Sequence, residues 1–253
     1  MRETNLTKYL LGAMSCVTIL TAWQAVSQFK VVNPVLLPPP TKVLPVIWEL
    51  FRTGAAFEPL AQTFELLFGA YALGCALAIV LGLLMGVNRH IFNLLEPTLE
   101  LLRPIPMVAL IPPLFLFIGM GTTTEMVVVT MATFFPVLIN TIQGVRGVDP
   151  IVVDMARTFG QSRFATMRKV TIWAALPMIL TGMRIGLGYA LILAILAEML
   201  IDSRGVGFLI LDMQRSFATT TMLAWILILG IVGVALNAIF EQFERAAVPW
   251  KSK

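Results

Sequence analysis

Charge is what this sequence has least of. Of its 253 residues only 13% are Asp, Glu, Lys or Arg, while 58% are hydrophobic and mean hydropathy is +0.88. A soluble domain carries roughly 25% charged residues, so about half the charge needed to cover a water-facing surface is missing. One histidine, His90, and two cysteines, Cys16 and Cys75, leave too few ligands for a metal cluster. Both cysteines fall inside apolar runs, so no disulfide is expected. No G-x-x-x-x-G-K-[ST] stretch occurs, which excludes a P-loop for ATP in this chain. The lone histidine and scattered carboxylates offer no nucleophile–base pair, and the chain does not read as an enzyme.

Short segments of alternating polarity, the mark of a membrane β-barrel, are also absent. Apolar runs of about 20 residues recur instead, each long enough to cross a bilayer as a helix. The sequence therefore predicts an all-α membrane protein, a single domain over 1–253. Six spans are expected, at 10–28, 62–87, 94–119, 125–145, 172–200 and 219–240. The first follows the short charged start "MRETNLTKY" and ends near "AVS" at Ala25–Ser27, which resembles a signal-peptide cleavage site. Its apolar run of about 18 residues exceeds the usual 7–15-residue signal core, which favours a retained span.

Lys and Arg set the expected orientation. With the N-terminus inside, eleven lie on the inner side: Arg2, Lys8, Arg89, Arg146, Arg157, Arg163, Arg168, Lys169, Arg245, Lys251 and Lys253. Five lie outside: Lys30, Lys42, Arg52, Arg204 and Arg215. Arg103 and Arg184 fall in or at the edge of spans. This asymmetry predicts cytoplasmic termini and explains the net charge of +4 without a nucleic-acid partner.

Proline and glycine punctuate the spans. Prolines up to Pro40 exclude a continuous helix after span one, and Thr41 is a candidate cap for a short helix on the outer face. Span three carries Pro97, Pro104, Pro106, Pro112 and Pro113, which fits either a broken helix lining a pathway or a kinked, packed one. Gly82–Gly86 and Gly182–Gly186 place small residues four apart, a close-packing signal. Glu65 and Glu125 sit near outer boundaries and read as solvated.

One polar, basic stretch interrupts the apolar pattern: "DPIVVDMARTFGQSRFATMRKV", Asp149 to Val170. Asp149 suits an N-cap and Pro150 the first helical position. Val152, Met155, Ala156 and Phe159 form one apolar face, and Gly160 suits a left-handed stop. Ser162 can cap a second helix carrying Phe164, Met167 and Val170. The expected product is a helix–glycine–helix hairpin, apolar on one side and basic on the other. Either anionic lipid headgroups or a groove on a soluble partner could cover its apolar face.

The stretch "DMARTFG", followed by "VTIWAALPMILTGMRIGLGYALILAILAEML", resembles the cytoplasmic loop of bacterial ATP-binding-cassette importer permeases. That pattern reads E-A-A, three residues, G, nine residues, I-x-L-P. Asp154, Met155 and Ala156 stand at the E-A-A positions, Gly160 at the glycine, Val170 at the isoleucine and Ile172 at the leucine. Met155 departs from alanine, Asp154 is shorter than glutamate, and Trp173 replaces the proline; Pro177 matches a second proline frequent in the nitrate, sulfonate and taurine branch. "LLPPPTKVL", "LLRPIPMVALIPPLFLFIGMG" and "RGVGFLI" extend the likeness from about Leu36 to Trp250.

The resemblance implies a six-helix permease bundle of the bacterial inner membrane, working as a homodimer with the pathway at the subunit interface. Its cytoplasmic loop 146–171 would dock on a separate ATPase, which holds ATP and Mg, with no cofactor in this chain. An external binding protein would deliver a small solute, such as nitrate, a sulfonate, taurine or bicarbonate. Asp154, Met155, Ala156, Arg157, Phe159 and Gly160 become the coupling residues. The alternative is a self-sufficient channel or ion-coupled carrier with its hairpin on lipid. Arg184 and Glu198, charges inside span five, are pathway candidates. Arg184 could instead make helix-end contacts or snorkel to the cytoplasm, and Glu198 a loop contact to Arg204.

Overall fold

The computed structural model describes residues 5–201 and 204–250. Arg2, Lys251 and Lys253, counted above on the inner side, lie outside them, as does the side chain of Lys8. Every regular element among the described residues is helical. The chain forms two compact units, one of residues 1–59 with 209–230, the other of 60–208 with 231–253.

The first unit contains α1 (Asn5–Gln28) and α2 (Pro40–Arg52). In α1 the hydroxyls of Ser15, Thr18 and Thr21 donate to the carbonyls of Leu11, Met14 and Val17 at 3.0, 2.8 and 2.8 Å. Each polar side chain is thereby satisfied by its own helix, as an apolar surrounding demands. α2 starts two residues earlier than expected. Pro39 takes the cap position without a side-chain bond, and Pro40 opens the first turn, so Thr41 is not the cap. The fixed φ of proline already suits that turn. The Ser27 hydroxyl donates to the Leu37 carbonyl at 2.8 Å and the Thr219 hydroxyl donates to the Val35 carbonyl, fastening the proline-rich connection.

The second unit is built on α3 (Phe57–Val87), α6 (Thr122–Arg146) and α9 (Ile172–Ile201). Leu66, Leu67, Ala70, Val128, Val129, Ala190, Ala194 and Ala197 form its main buried core. Small residues let the backbones meet. A Cβ built on Gly82 would lie 2.7 Å from Thr141 of α6, and one on Gly86 2.5 Å from Val145. One on Gly182 would lie 2.7 Å from the Cβ of Asn140. Both glycine pairs read from the sequence are thus at helix crossings, with α6 as the shared partner. The Tyr71 hydroxyl donates to the Met183 carbonyl at 3.0 Å, tying α3 to α9.

Expected span three is broken. α4 (Arg89–Leu102) meets the segment Met107–Ile118 at 84°. That segment is a short 3-10 turn followed by α5 (Ile111–Ile118). Pro97 sits inside α4, while Pro112 and Pro113 lie in the first turn of α5, where their missing donors are not needed. Pro104 and Pro106 fall at the bend itself. The Asn88 side chain accepts from the amides of His90 and Ile91, so α4 has a built start. His90 therefore lies in the first turn of α4.

The remaining elements are α7 (Pro150–Thr158), α8 (Arg163–Thr166), a π-helical turn (Met167–Thr171), α10 (Val206–Arg215) and α11 (Thr219–Ala247). α8, the π turn and α9 run on as one 39-residue helix, Arg163–Ile201. Among the described residues four helices are long and apolar enough to span a membrane: α3, α6, Arg163–Ile201 and α11. The bent pair makes a fifth. α1 covers the first expected span, but the side chains of residues 5–10 and 13 lie outside the described set.

Candidate coupling hairpin and transport cavities

The hairpin forms from its local signals. The Asp149 carboxylate accepts from the Ile151 amide at 2.8 Å, and Pro150 opens α7. At the other end the Gly160 amide donates to the Arg157 carbonyl (2.9 Å) and the Gln161 amide to the Ala156 carbonyl (3.1 Å). These two bonds define a Schellman stop, with Gly160 at φ +76° in the left-handed position. The Ser162 hydroxyl accepts from the Ala165 amide at 3.2 Å and starts α8. Each of these follows from short-range chemistry.

No residue of α7 is buried. Val152, Met155 and Phe159, the three larger residues of its apolar face, are exposed, Phe159 at 78%. Phe164 on the adjoining turn is exposed as well. Asp154 and Arg157 pair within the helix at 3.3 Å, both side chains largely in solvent, so the pair adds little stability. Trp173, at the motif's proline position, continues the helix unbroken and meets Trp250 edge-on at 6.1 Å.

Neither charged residue of span five lines the cavity of about 570 Å³ at the break in span three. Arg184 forms an ion pair with Glu244 of α11 at 3.5 Å, beside a hollow of about 50 Å³. Glu198 is 1% exposed, and its Oε2 accepts from the Thr63 hydroxyl (3.0 Å) and the Gly207 amide (2.8 Å). The Val206 amide donates to the Thr63 oxygen at 2.9 Å and the Gly205 amide to Gln62 at 3.0 Å. The "RGVG" turn, which leads into α10, is thus held by α3 and α9 through a buried carboxylate. Glu198 also borders a cavity of about 240 Å³ with Gln62, Glu65, Glu125 and Arg204. Glu125 is only 3% exposed there, which corrects its reading as solvated: α6 turns it inward.

A cavity of about 570 Å³ opens at the break in span three. Arg103, Asn140 and Tyr189 are its hydrogen-bonding side chains, set among prolines, methionines and aliphatic residues. A smaller hollow of about 180 Å³ lies between α4 and α6 and is bordered by Glu96, Glu100 and Arg103. Arg146 at the end of α6 stacks over the Phe92 ring, 3.3 Å from its centroid, and helps hold α4 in place.

Residues 78–252 match the family described as binding-protein-dependent transport system inner membrane component. The chain belongs to this family of transport permeases. It is 30% identical over 244 residues to a Bacillus subtilis permease named for aliphatic sulfonate transport, SsuC, covering 96% of this chain and 88% of that one. It is likewise 30% identical over 237 residues to the taurine transport system permease protein TauC of Escherichia coli, covering 92% and 86%. A formylaminopyrimidine transport permease, ThiX of Halalkalibacterium halodurans, is 28% identical, covering 93% of each chain. The fold resembles a chain of the MetNI methionine ABC transporter with TM-score 0.66 and 18% identity, covering 80% of this chain and 98% of that one.

As a permease of this family the protein is not an enzyme, and hydrolysis of ATP resides on a separate subunit. Membership also implies an ATPase and a substrate-binding protein as partners in the membrane-bound assembly. In the permease three features escaped the sequence reading: Arg103 with its cavity, Glu244 as the partner of Arg184, and the Gly207 amide as the partner of Glu198. Only Arg103 carried a usable signal, a cation directly before Pro-x-Pro inside an apolar segment.

Proposed function

We propose that this permease forms the solute pathway of an ATP-driven importer for a small sulfonate, such as taurine or an aliphatic sulfonate. The observation that carries the coupling part is α7. It is a nine-residue helix, capped at both ends, whose apolar face has no cover among the described residues. A groove on a cytoplasmic ATPase covers such a face and takes Met155 and Phe159 as anchors. Asp154, Ala156, Arg157 and Gly160 then set the rim and the turn. ATP and Mg stay on that ATPase.

Two permease copies flank the pathway in the inner membrane, with both termini and residues 146–171 in the cytoplasm and α1 retained as a span. The excess of Lys and Arg on that side supports the orientation. The names of the SsuC and TauC relatives support a sulfonate. Closure of the ATPases on ATP draws the two hairpins together and reorients the spans.

The test is to tag the chain, extract it gently from its native membrane and identify what co-purifies by mass spectrometry. A P-loop ATPase in stoichiometric amount is expected. Gly160→Val, which places a β-branched residue at φ +76°, and Asp154→Arg should each remove at least nine-tenths of it while the permease stays monodisperse. A monodisperse wild-type chain with no ATPase overturns the reading.

A further inference from the structure

The cavity of about 570 Å³ at the break between α4 and α5 falls in the size range of small-molecule sites, roughly 300–1,000 Å³. Its lining has one permanent charge, Arg103, and no carboxylate. Glu96 and Glu100 face the separate, smaller hollow on the α4–α6 side. Glu100 does approach Arg103, but at 3.8 Å and with both side chains more than half exposed, so this pair is loose and exchangeable. Two neutral groups complete the polar lining. The Asn140 amide gives one N–H to the Pro136 carbonyl at 2.8 Å and keeps a second donor. Tyr189 is half exposed and brings a hydroxyl.

We infer that this cavity is an oxyanion-receiving site of the permease, in which the Arg103 guanidinium takes the anionic head of a small sulfonate and Asn140 and Tyr189 add neutral hydrogen bonds. The inference rests on the transport reading above and assigns it a residue-level contact. A planar guanidinium matches two oxygens of a sulfonate at once, which an ammonium cannot do as well. Apolar walls of low dielectric around a single positive charge concentrate anions and repel cations. The methylene part of the solute packs on Met131, Ile185 and the prolines of the bend. The Arg103–Glu100 pair re-forms when the solute leaves, so the empty site does not hold an uncompensated charge.

The test reads the cavity's field in the purified chain and needs neither ATPase nor transport. In a Cys16→Ser, Cys75→Ala background, a thiol is placed in the cavity by Val108→Cys and, as a control, outside it by Met120→Cys. Each is reacted with sulfonatoethyl and with trimethylammonioethyl methanethiosulfonate, the thiolate displacing methanesulfinate, and mass spectrometry follows the rates. Arg103→Gln is expected to lower the anion-to-cation rate ratio at position 108 about tenfold, with little change at 120. Arg103→Lys should keep it within about twofold. Ethanesulfonate should slow modification at 108 in the Arg103 protein and not in the Gln variant. A ratio unaffected by Arg103→Gln, or equal ethanesulfonate protection in both proteins, overturns the inference. Co-purification of the ATPase is read separately, so the coupling proposal and this site can fail independently.

Discussion

Gly182→Leu should yield no monodisperse protein from detergent extracts, whereas Gly188→Ala should be as stable as the parent or slightly more so. The two glycines sit six residues apart on the same helix, α9, and differ in what faces them. A Cβ on Gly182 would stand 2.7 Å from the Asn140 Cβ, 3.0 Å from the Pro136 carbonyl oxygen and 3.1 Å from the Val137 Cα. Two of these are backbone atoms of α6 and cannot rotate away. A Cβ on Gly188 meets nothing within 4 Å. Helix propensity favours alanine over glycine by about 1 kcal/mol at either position. Overpacking of a close crossing costs about 1–3 kcal/mol for a small insertion and more for a larger one. Gly182→Ala should therefore lose Tm by about 5 °C relative to Gly188→Ala, and Gly182→Leu should separate α6 from α9 altogether. Size-exclusion profiles and tryptophan-monitored melting in detergent check both. A Gly182→Leu protein that melts like the parent would mean that the crossing is not close.

The hairpin was legible in the sequence because its determinants are local. Asp149, Pro150, Gly160 and Ser162 act on amides and dihedrals within a few residues of themselves, and the structure places each where that chemistry requires. The glycine pairs were legible as close-packing sites, but not their partner. The residues they meet on α6, Thr141, Val145 and Asn140, follow no pattern that singles them out. Glu125 was misread for the same reason: distance from a helix end does not tell which way the helix is turned. In span three the five prolines announced a disturbance without saying which of them bends the chain. The Pro112–Pro113 pair occupies the first turn of α5, which tolerates proline, and Pro97 lies within α4 without ending it, leaving the bend to Pro104 and Pro106. Arg103 becomes a site residue only because that bend opens a cavity beside it. Charge inside a span did single out Arg184 and Glu198, yet their partners, Glu244 and Gly207, are tertiary facts.

Glu198 makes the sharper case, because its partners predict a non-additive result. Glu198→Ala leaves the Gly207 amide and the Thr63 hydroxyl without their buried acceptor, a loss of about 1–3 kcal/mol for each unsatisfied donor. Glu198→Gln keeps one oxygen acceptor and should lose less. Gly205→Ala is also expected to destabilise, for two separable reasons. Its φ of +98° strains any residue with a Cβ, and that Cβ would stand 2.2 Å from Glu198 Oε1. The clash vanishes when the carboxylate is gone, while the strain of about 1–2 kcal/mol remains. Gly205→Ala should therefore cost clearly less in the Glu198→Ala background than in the parent. Gly207→Ala provides the contrast: its Cβ would lie 2.3 Å from the Ile195 carbonyl oxygen and 2.7 Å from the Glu198 Cβ, atoms that truncating Glu198 to alanine leaves in place, and only its 3.1 Å approach to Oε2 would be relieved. Its cost should change far less between the two backgrounds. Melting temperatures of the two double-mutant cycles decide the matter. Coupling far larger at 205 than at 207 means that the Glu198 carboxylate itself fills the space over the turn. Equal coupling at both, or none at either, would show that α10 is held by contacts other than this buried acid.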